Sequence, residues 1–107
     1  MSSLDFTISC IVTFFRKKRT SLPNLNDGKY RLHIVIKGTE EQLGINFIDG
    51  EDVIFDQPIR ANALPVNEDV DYSSLQVGTE FLIMEGSTIV GAGLIKEIFQ
   101  HKRYKKK

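Results

Sequence analysis

The chain has 107 residues, 41% of them hydrophobic and 26% charged, with 14 Lys and Arg balanced by 14 Asp and Glu. That length holds one hydrophobic core with no room for a second, and the apolar content excludes a disordered chain. The zero net charge offers no global argument for nucleic acid. A lone cysteine, Cys10, excludes an intrachain disulfide or a cysteine-based zinc site and fits a reducing compartment.

Met1 to Asp5 carries no basic stretch, and the apolar run that follows is interrupted by Thr7, Ser9 and Thr13. Neither a signal peptide nor a membrane span is expected, since a span needs about 20 predominantly apolar residues. The expected location is cytoplasmic. Along the chain the dominant period is two. Phe6, Ile8, Cys10, Val12 and Phe14 alternate with mostly polar residues, as in a half-buried strand. Tyr30, Leu32, Ile34 and Ile36 repeat the pattern, and Leu43, Ile45 and Phe47 do so again. Further apolar runs cover Val53 to Phe55, Ile59 to Val66, Phe81 to Met84 and Ile89 to Phe99. Glycines at 28, 38, 50, 78 and 86 separate these runs, where turns favour positive backbone angles.

Six or seven short strands predict an all-β fold, a small barrel or sandwich. Closure would remove the unpaired edges that a chain of this size otherwise exposes. Gly91-Ala92-Gly93 lies inside the last run and predicts a bulge or a close backbone approach. The expected organisation is one domain over residues 1–100 and a basic tail over 101–107.

Charge is segregated although it cancels. Residues 16–37 carry seven basic residues and one acid, net +6; residues 38–86 carry one basic residue and eleven acids, net −10. Residues 87–107 carry six basic residues and one acid, net +5. A barrel that brought the first and last of these segments together would have one basic and one acidic surface.

Catalytic and cofactor motifs find little support. No Walker-type glycine-rich sequence is present, and Gly91-Ala92-Gly93 lacks the third glycine and the following βαβ unit of a dinucleotide fingerprint. A nucleophilic dyad would need Cys10 beside His33 or His101. Cys10 alternates with core residues, where an inert thiol is expected, His33 reads as an exposed strand residue, and His101 sits in the tail. Asp69, Asp71, Ser73 and Glu80 match positions 1, 3, 5 and 12 of a calcium loop. Ser74 stands where that loop requires glycine, so the segment reads as an acidic solvated loop. The expectation is no enzyme, no metal and no cofactor.

Phe81-Leu82-Ile83-Met84-Glu85-Gly86-Ser87-Thr88-Ile89-Val90-Gly91-Ala92-Gly93 closely resembles the terminal segment of the third domain of bacterial elongation factor Tu, approximately F-A-I-R-E-G-G-R-T-V-G-A-G. Arg16-Lys17-Lys18-Arg19-Thr20, followed by Tyr30-Arg31, resembles that family's G-G-R-H-T-P…Y-R-P stretch, and Pro58-Ile59 to Val66 falls where that domain has a core strand. The resemblance spans about residues 5–99. It implies a closed six-stranded Greek-key β-barrel standing alone, without the GTP-binding domain and hence without GTPase activity. In the intact factor this barrel contacts the T-stem backbone of aminoacyl-tRNA and the other domains. By motif position, Lys18, Arg19, Tyr30, Arg31, Glu85 and Gly86 would line the corresponding region. The family's two arginines around the Glu-Gly turn are Met84 and Thr88 here, and its proline after Tyr-Arg is Leu32. Losing two cations weakens phosphate binding, which gains affinity largely through counterion release.

Two functions follow as expectations. The first is a non-enzymatic protein-binding module (a mimic, an inhibitor or immunity-type protein, or an adaptor), favoured by the acidic middle segment and the lost arginines. The second is tRNA or other RNA binding through the basic 16–19 loop, with Lys17, Lys18 and Arg19 as contacts, and the C-terminal tail. Neither membrane nor DNA is an expected partner.

Overall fold

Strict alternation in the first strand sets up the whole architecture. In β1 (Phe6–Phe14) every odd-placed side chain, from Phe6 through Ile8, Cys10 and Val12 to Phe14, is buried, and those between are half-buried. The computed structural model describes residues 6–26, 29–66 and 70–100, apart from the side chain of Arg31. After β1 come β2 (Arg31–Ile36), β3 (Gln42–Gly50), β4 (Ile59–Pro65), β5 (Glu80–Glu85) and β6 (Thr88–Gln100), with one 3-10 turn at Arg16–Lys18. All neighbouring strands pair antiparallel, in the order β1-β4-β3-β2-β5-β6, and β6 closes on β1. Three consecutive strands, β2 to β4, return the chain to lie beside β1. This is the Greek-key arrangement, so the fold is an all-β, closed six-stranded Greek-key barrel.

Its core is a single cluster that includes Phe14, Phe47, Phe81, Ile34, Ile45, Ile83 and Ile95. Each such side chain contributes roughly 1.5–3 kcal/mol by leaving water. The apolar run Val53 to Phe55 is not a seventh strand. It lies in the β3–β4 connection, where Val53 joins the core and the chain turns at Asp56, at φ +65°. The Asp56 amide donates to the Phe14 carbonyl at 2.8 Å, so this connection closes over the Phe14 end of the barrel.

The expectation for Gly91-Ala92-Gly93 holds, and both glycines face inward. Gly91 pairs with Phe14 and Gly93 with Val12, so both share the face of β1's buried residues. A Cβ on Gly91 would overlap the carbonyl oxygen of Thr13, and one on Gly93 would overlap the Phe81 ring. The missing side chain at Gly93 leaves room for the buried Phe81 ring, and the one at Gly91 lets the β1 backbone approach. Register shifts flank this stretch, between Ile83 and Met84 on β5 and between Ser9 and Cys10 on β1.

Register also sorts the loops onto two ends. Phe14 pairs with Gly91 at one end of the β1–β6 ribbon, and Phe6 pairs with Gln100 at the other. The 3-10 turn, Tyr30, the β3–β4 connection and the Glu85–Thr88 turn gather at the Phe14 end. Residues 101–107 lie outside the described residues, but their root, Gln100, sits at the opposite end. The nine residues of β1 separate the two ends by about 27 Å. Arg16–Arg19 and the root of the basic tail therefore leave the barrel at opposite ends. Among the described residues no helix is long and apolar enough to cross a membrane.

Candidate functional site

At the Phe14 end three side chains distant in sequence meet. The Tyr30 hydroxyl donates to Glu85 Oε2 at 2.5 Å. The same oxygen takes an ion pair from Arg19 Nε at 3.0 Å, and the Arg19 guanidinium lies 5.4 Å above the Tyr30 ring. Arg19 Nη1 also donates to the Ser21 carbonyl at 2.7 Å, so the guanidinium's hydrogen bonds are directed within the molecule. The Arg19 and Glu85 side chains are 18% and 33% exposed, which makes the pair partly shielded from solvent. Shielding strengthens the attraction but adds a desolvation cost.

Packing explains why Tyr30 sits there. Its ring stacks on Phe47 at 5.9 Å and 17°, and Phe14 contacts both rings, at 6.0 Å from Tyr30 and 6.3 Å from Phe47. Such aromatic contacts contribute about 0.5–1.5 kcal/mol beyond their area. The body of Tyr30 thus belongs to the core and its hydroxyl reaches the rim. Burial, then the bond to Glu85 and its negative charge, push the phenol's pKa well above its ordinary value, with Arg19 opposing. Tyr30 is a proton donor in this arrangement and stays neutral.

The other residues singled out from the sequence divide sharply. Lys17 and Lys18 are exposed on the 3-10 turn, and among the described residues their side chains make no ion pair or hydrogen bond. Gly86 occupies the β5–β6 turn at φ +61° with open space around its Cα. The backbone of Arg31 pairs with Asn46 on β3, while its side chain lies outside the described residues. Sequence reading missed what surrounds this corner. Arg16 stacks 5.2 Å from the Phe55 ring, and its amide donates to Asp56 Oδ1 at 3.3 Å. A hollow of about 250 Å³ is lined by Arg19, Leu22, Pro23, Asn24, Lys29 and Tyr30. Of the large apolar side chains left exposed, Leu22, Ile54 and Ile89 belong to this end. Only chain reversals bring those three to one end of the barrel, so no spacing in the sequence announces them.

Residues weighed for catalysis do not converge. Cys10 is buried, its sulfur 3.5 Å from the Ala61 carbonyl oxygen, and burial pushes its thiol pKa up to about 12. A thiol so held is a poor nucleophile. His33 lies on the opposite face of β2 from the buried Ile34 and Ile36, away from Cys10 in the interior. It is half-buried rather than exposed, because Gly44 and Met84 flank it on the neighbouring strands, and its Nε2 has no hydrogen-bond partner among the described residues. His101 lies outside the described residues. In the acidic loop Asp71 accepts from the Ser73 amide at 2.9 Å, which lowers its pKa, while Asp69 lies outside the described residues. Among the described residues no group of three or more His, Cys, Asp or Glu side chains could hold a metal ion.

The Arg19–Glu85–Tyr30 corner is thus partly shielded, and exposed Lys17 and Lys18, whose side chains have no partner among the described residues, precede Arg19 on the 3-10 turn. No family model matches this chain, and no curated protein matches it.

Proposed function

We propose that this chain is a non-enzymatic barrel of the elongation factor Tu third-domain type that binds a protein partner with its Phe14 end, in the cytoplasm. The observation that carries the reading is the meeting of Arg19, Tyr30 and Glu85, from the two sequence stretches on which the resemblance rests. Around that corner, exposed Leu22, Ile54 and Ile89 supply apolar anchors, and Lys17 and Lys18 supply charge that steers encounter. A mimic, inhibitor or adaptor role fits such a surface equally. An unpaired thiol buried in the core accords with a reducing compartment.

The free charge of Lys17 and Lys18 also favours a second reading, tRNA or RNA binding. Against it, Arg19 is already paired with Glu85, and the tail departs from the far end of the barrel. One experiment separates the two. Wild type and the Lys17→Glu/Lys18→Glu variant are immobilised and exposed to lysate at moderate salt. A stoichiometric protein captured by the wild type and lost by the variant supports the proposal. RNA released steeply by added salt supports the second reading. Equal capture by both proteins overturns this site.

A further inference from the structure

The barrel closes around its middle but not along all of β6. This strand runs thirteen residues, and β5 pairs with it only from Thr88 to Leu94. Gly78 and Thr79 extend that pairing by one position, through bonds of 2.8 and 2.9 Å to Ile95. From Glu97 to Gln100 the strand is paired with β1 on one side, with Lys96 the extra residue at the register shift between Ser9 and Cys10, and among the described residues no backbone group bonds the other side of Lys96–Gln100. The face of this ribbon toward the barrel is covered: Tyr72 packs edge-on against Phe6, and Ile98 packs on the core. Phe99, pairing with Thr7, is 47% exposed. An open strand edge beside an exposed aromatic is a template for an added strand.

We infer that this edge binds an extended acidic segment of another protein, which adds as a strand beside Lys96–Gln100, sets an apolar side chain against Phe99 and runs its carboxylates toward the basic tail. Charge supplies the choice of occupant. Lys96 and Glu97 cancel on the edge itself, and the sequence tethered directly after Gln100 holds Lys102, Arg103, Lys105, Lys106 and Lys107 and no acid. A second copy of the chain fits less well. Its rigid barrel could cover only five residues of edge, about 17 Å, whereas a stable dimer buries about 1,200–2,000 Å². A slender extended segment needs no more than the edge itself, and its main-chain hydrogen bonds supply affinity that the side chains then make specific. This surface lies at the opposite end from Arg19, Tyr30 and Glu85 and does not depend on the function proposed for that end.

The test uses the full chain and a synthetic peptide of alternating Glu and Val. The comparison peptide has the same sequence with alternate backbone amides N-methylated, which keeps the charge and removes the strand's donors. Amide exchange is read residue by residue. The alternating peptide is expected to slow exchange within Lys96–Gln100 at least tenfold, and the methylated peptide to leave it unchanged. Phe99→Ser should weaken binding several-fold, and Lys105→Glu/Lys106→Glu/Lys107→Glu should flatten its salt dependence, while Lys17→Glu/Lys18→Glu leaves it intact. Equal binding of both peptides, protection confined to other residues, or self-association through these amides without peptide would each overturn the inference.

Discussion

The Tyr30 hydroxyl and the Glu85 carboxylate, 55 positions apart in the chain, meet at 2.5 Å and tie the β1–β2 connection to the β5–β6 turn. Arg19 reinforces the tie from earlier in the same β1–β2 connection. The contact is a latch on the rim of a barrel whose strands are already closed beneath it, so its loss should loosen the corner without unfolding the chain.

Glu85→Ala leaves the Tyr30 hydroxyl and Arg19 without their shared acceptor. Hydrogen bonds to charged groups contribute about 1.5–3 kcal/mol, and the one-third exposure of Glu85 brings the expected loss down to about 1 kcal/mol. Tyr30→Phe keeps the stack on Phe47 and removes only the donor. Urea unfolding of the two single variants and the double variant should give a coupling of at least about 0.5 kcal/mol. Strict additivity would mean that the contact is energetically silent.

Gly93→Ala drives a methyl group into the buried Phe81 ring and against the Ile11 carbonyl oxygen. Overpacking of this kind costs about 1–3 kcal/mol. At Gly86 the space is open, and alanine there meets only the left-handed backbone, a cost of about 1–2 kcal/mol. Denaturation midpoints should show Gly93→Ala as the more damaging change, accompanied by altered chemical shifts at Val12 and Phe81. A neutral Gly93→Ala would show that the barrel centre is looser than its geometry.

Alkali should destabilise the protein by a predictable route. The thiol of Cys10 titrates at about 12 in the folded chain against a reference of 9.0. Because the folded value is raised, its contribution is fully present below pH 9, and stability then falls as pH rises toward 12. The slope from one such group is at most about 1.4 kcal/mol per pH unit. Tyr30, whose folded pKa is also raised, adds to the decline above its reference value of 10.0. Thermal melts from pH 8 to 11 should show the fall, and Cys10→Val should reduce its slope. An unchanged slope in that variant would remove Cys10 from the explanation.

Lys17 and Lys18 are exposed and, among the described residues, unpaired, so reversing both charges should alter stability by less than about 0.5 kcal/mol per site. Association with the captured partner should slow several-fold and lose much of its salt dependence. Stopped-flow or surface-binding kinetics would read this, and an association rate equal to wild type would show that these lysines do not steer the encounter.

Alternation alone decided much of this molecule. Phe6 to Phe14 fixes its own inward and outward faces, because strand side chains change sides at every residue, and Gly91 and Gly93 announced a close approach because a Cβ has a fixed volume. The strand count was legible for the same reason, except at Val53 to Phe55. There, three apolar residues could be read either as a short strand or as a loop that dips into the core.

Tertiary structure alone decided which residues meet. Arg19 beside Glu85, with Tyr30 beneath them on Phe47, depends on strand order and register, which no local pattern carries. So does the placement of Arg16–Arg19 and of Gln100, the root of the basic tail, at opposite ends of the β1–β6 ribbon, which the sum of charges concealed. The open edge of Lys96–Gln100 follows from β5 and the two residues before it pairing with β6 only as far as Ile95. Side-chain chemistry and periodicity are local properties of a chain, whereas proximity is created by closing loops across tens of residues, and only the folded barrel pays that entropy.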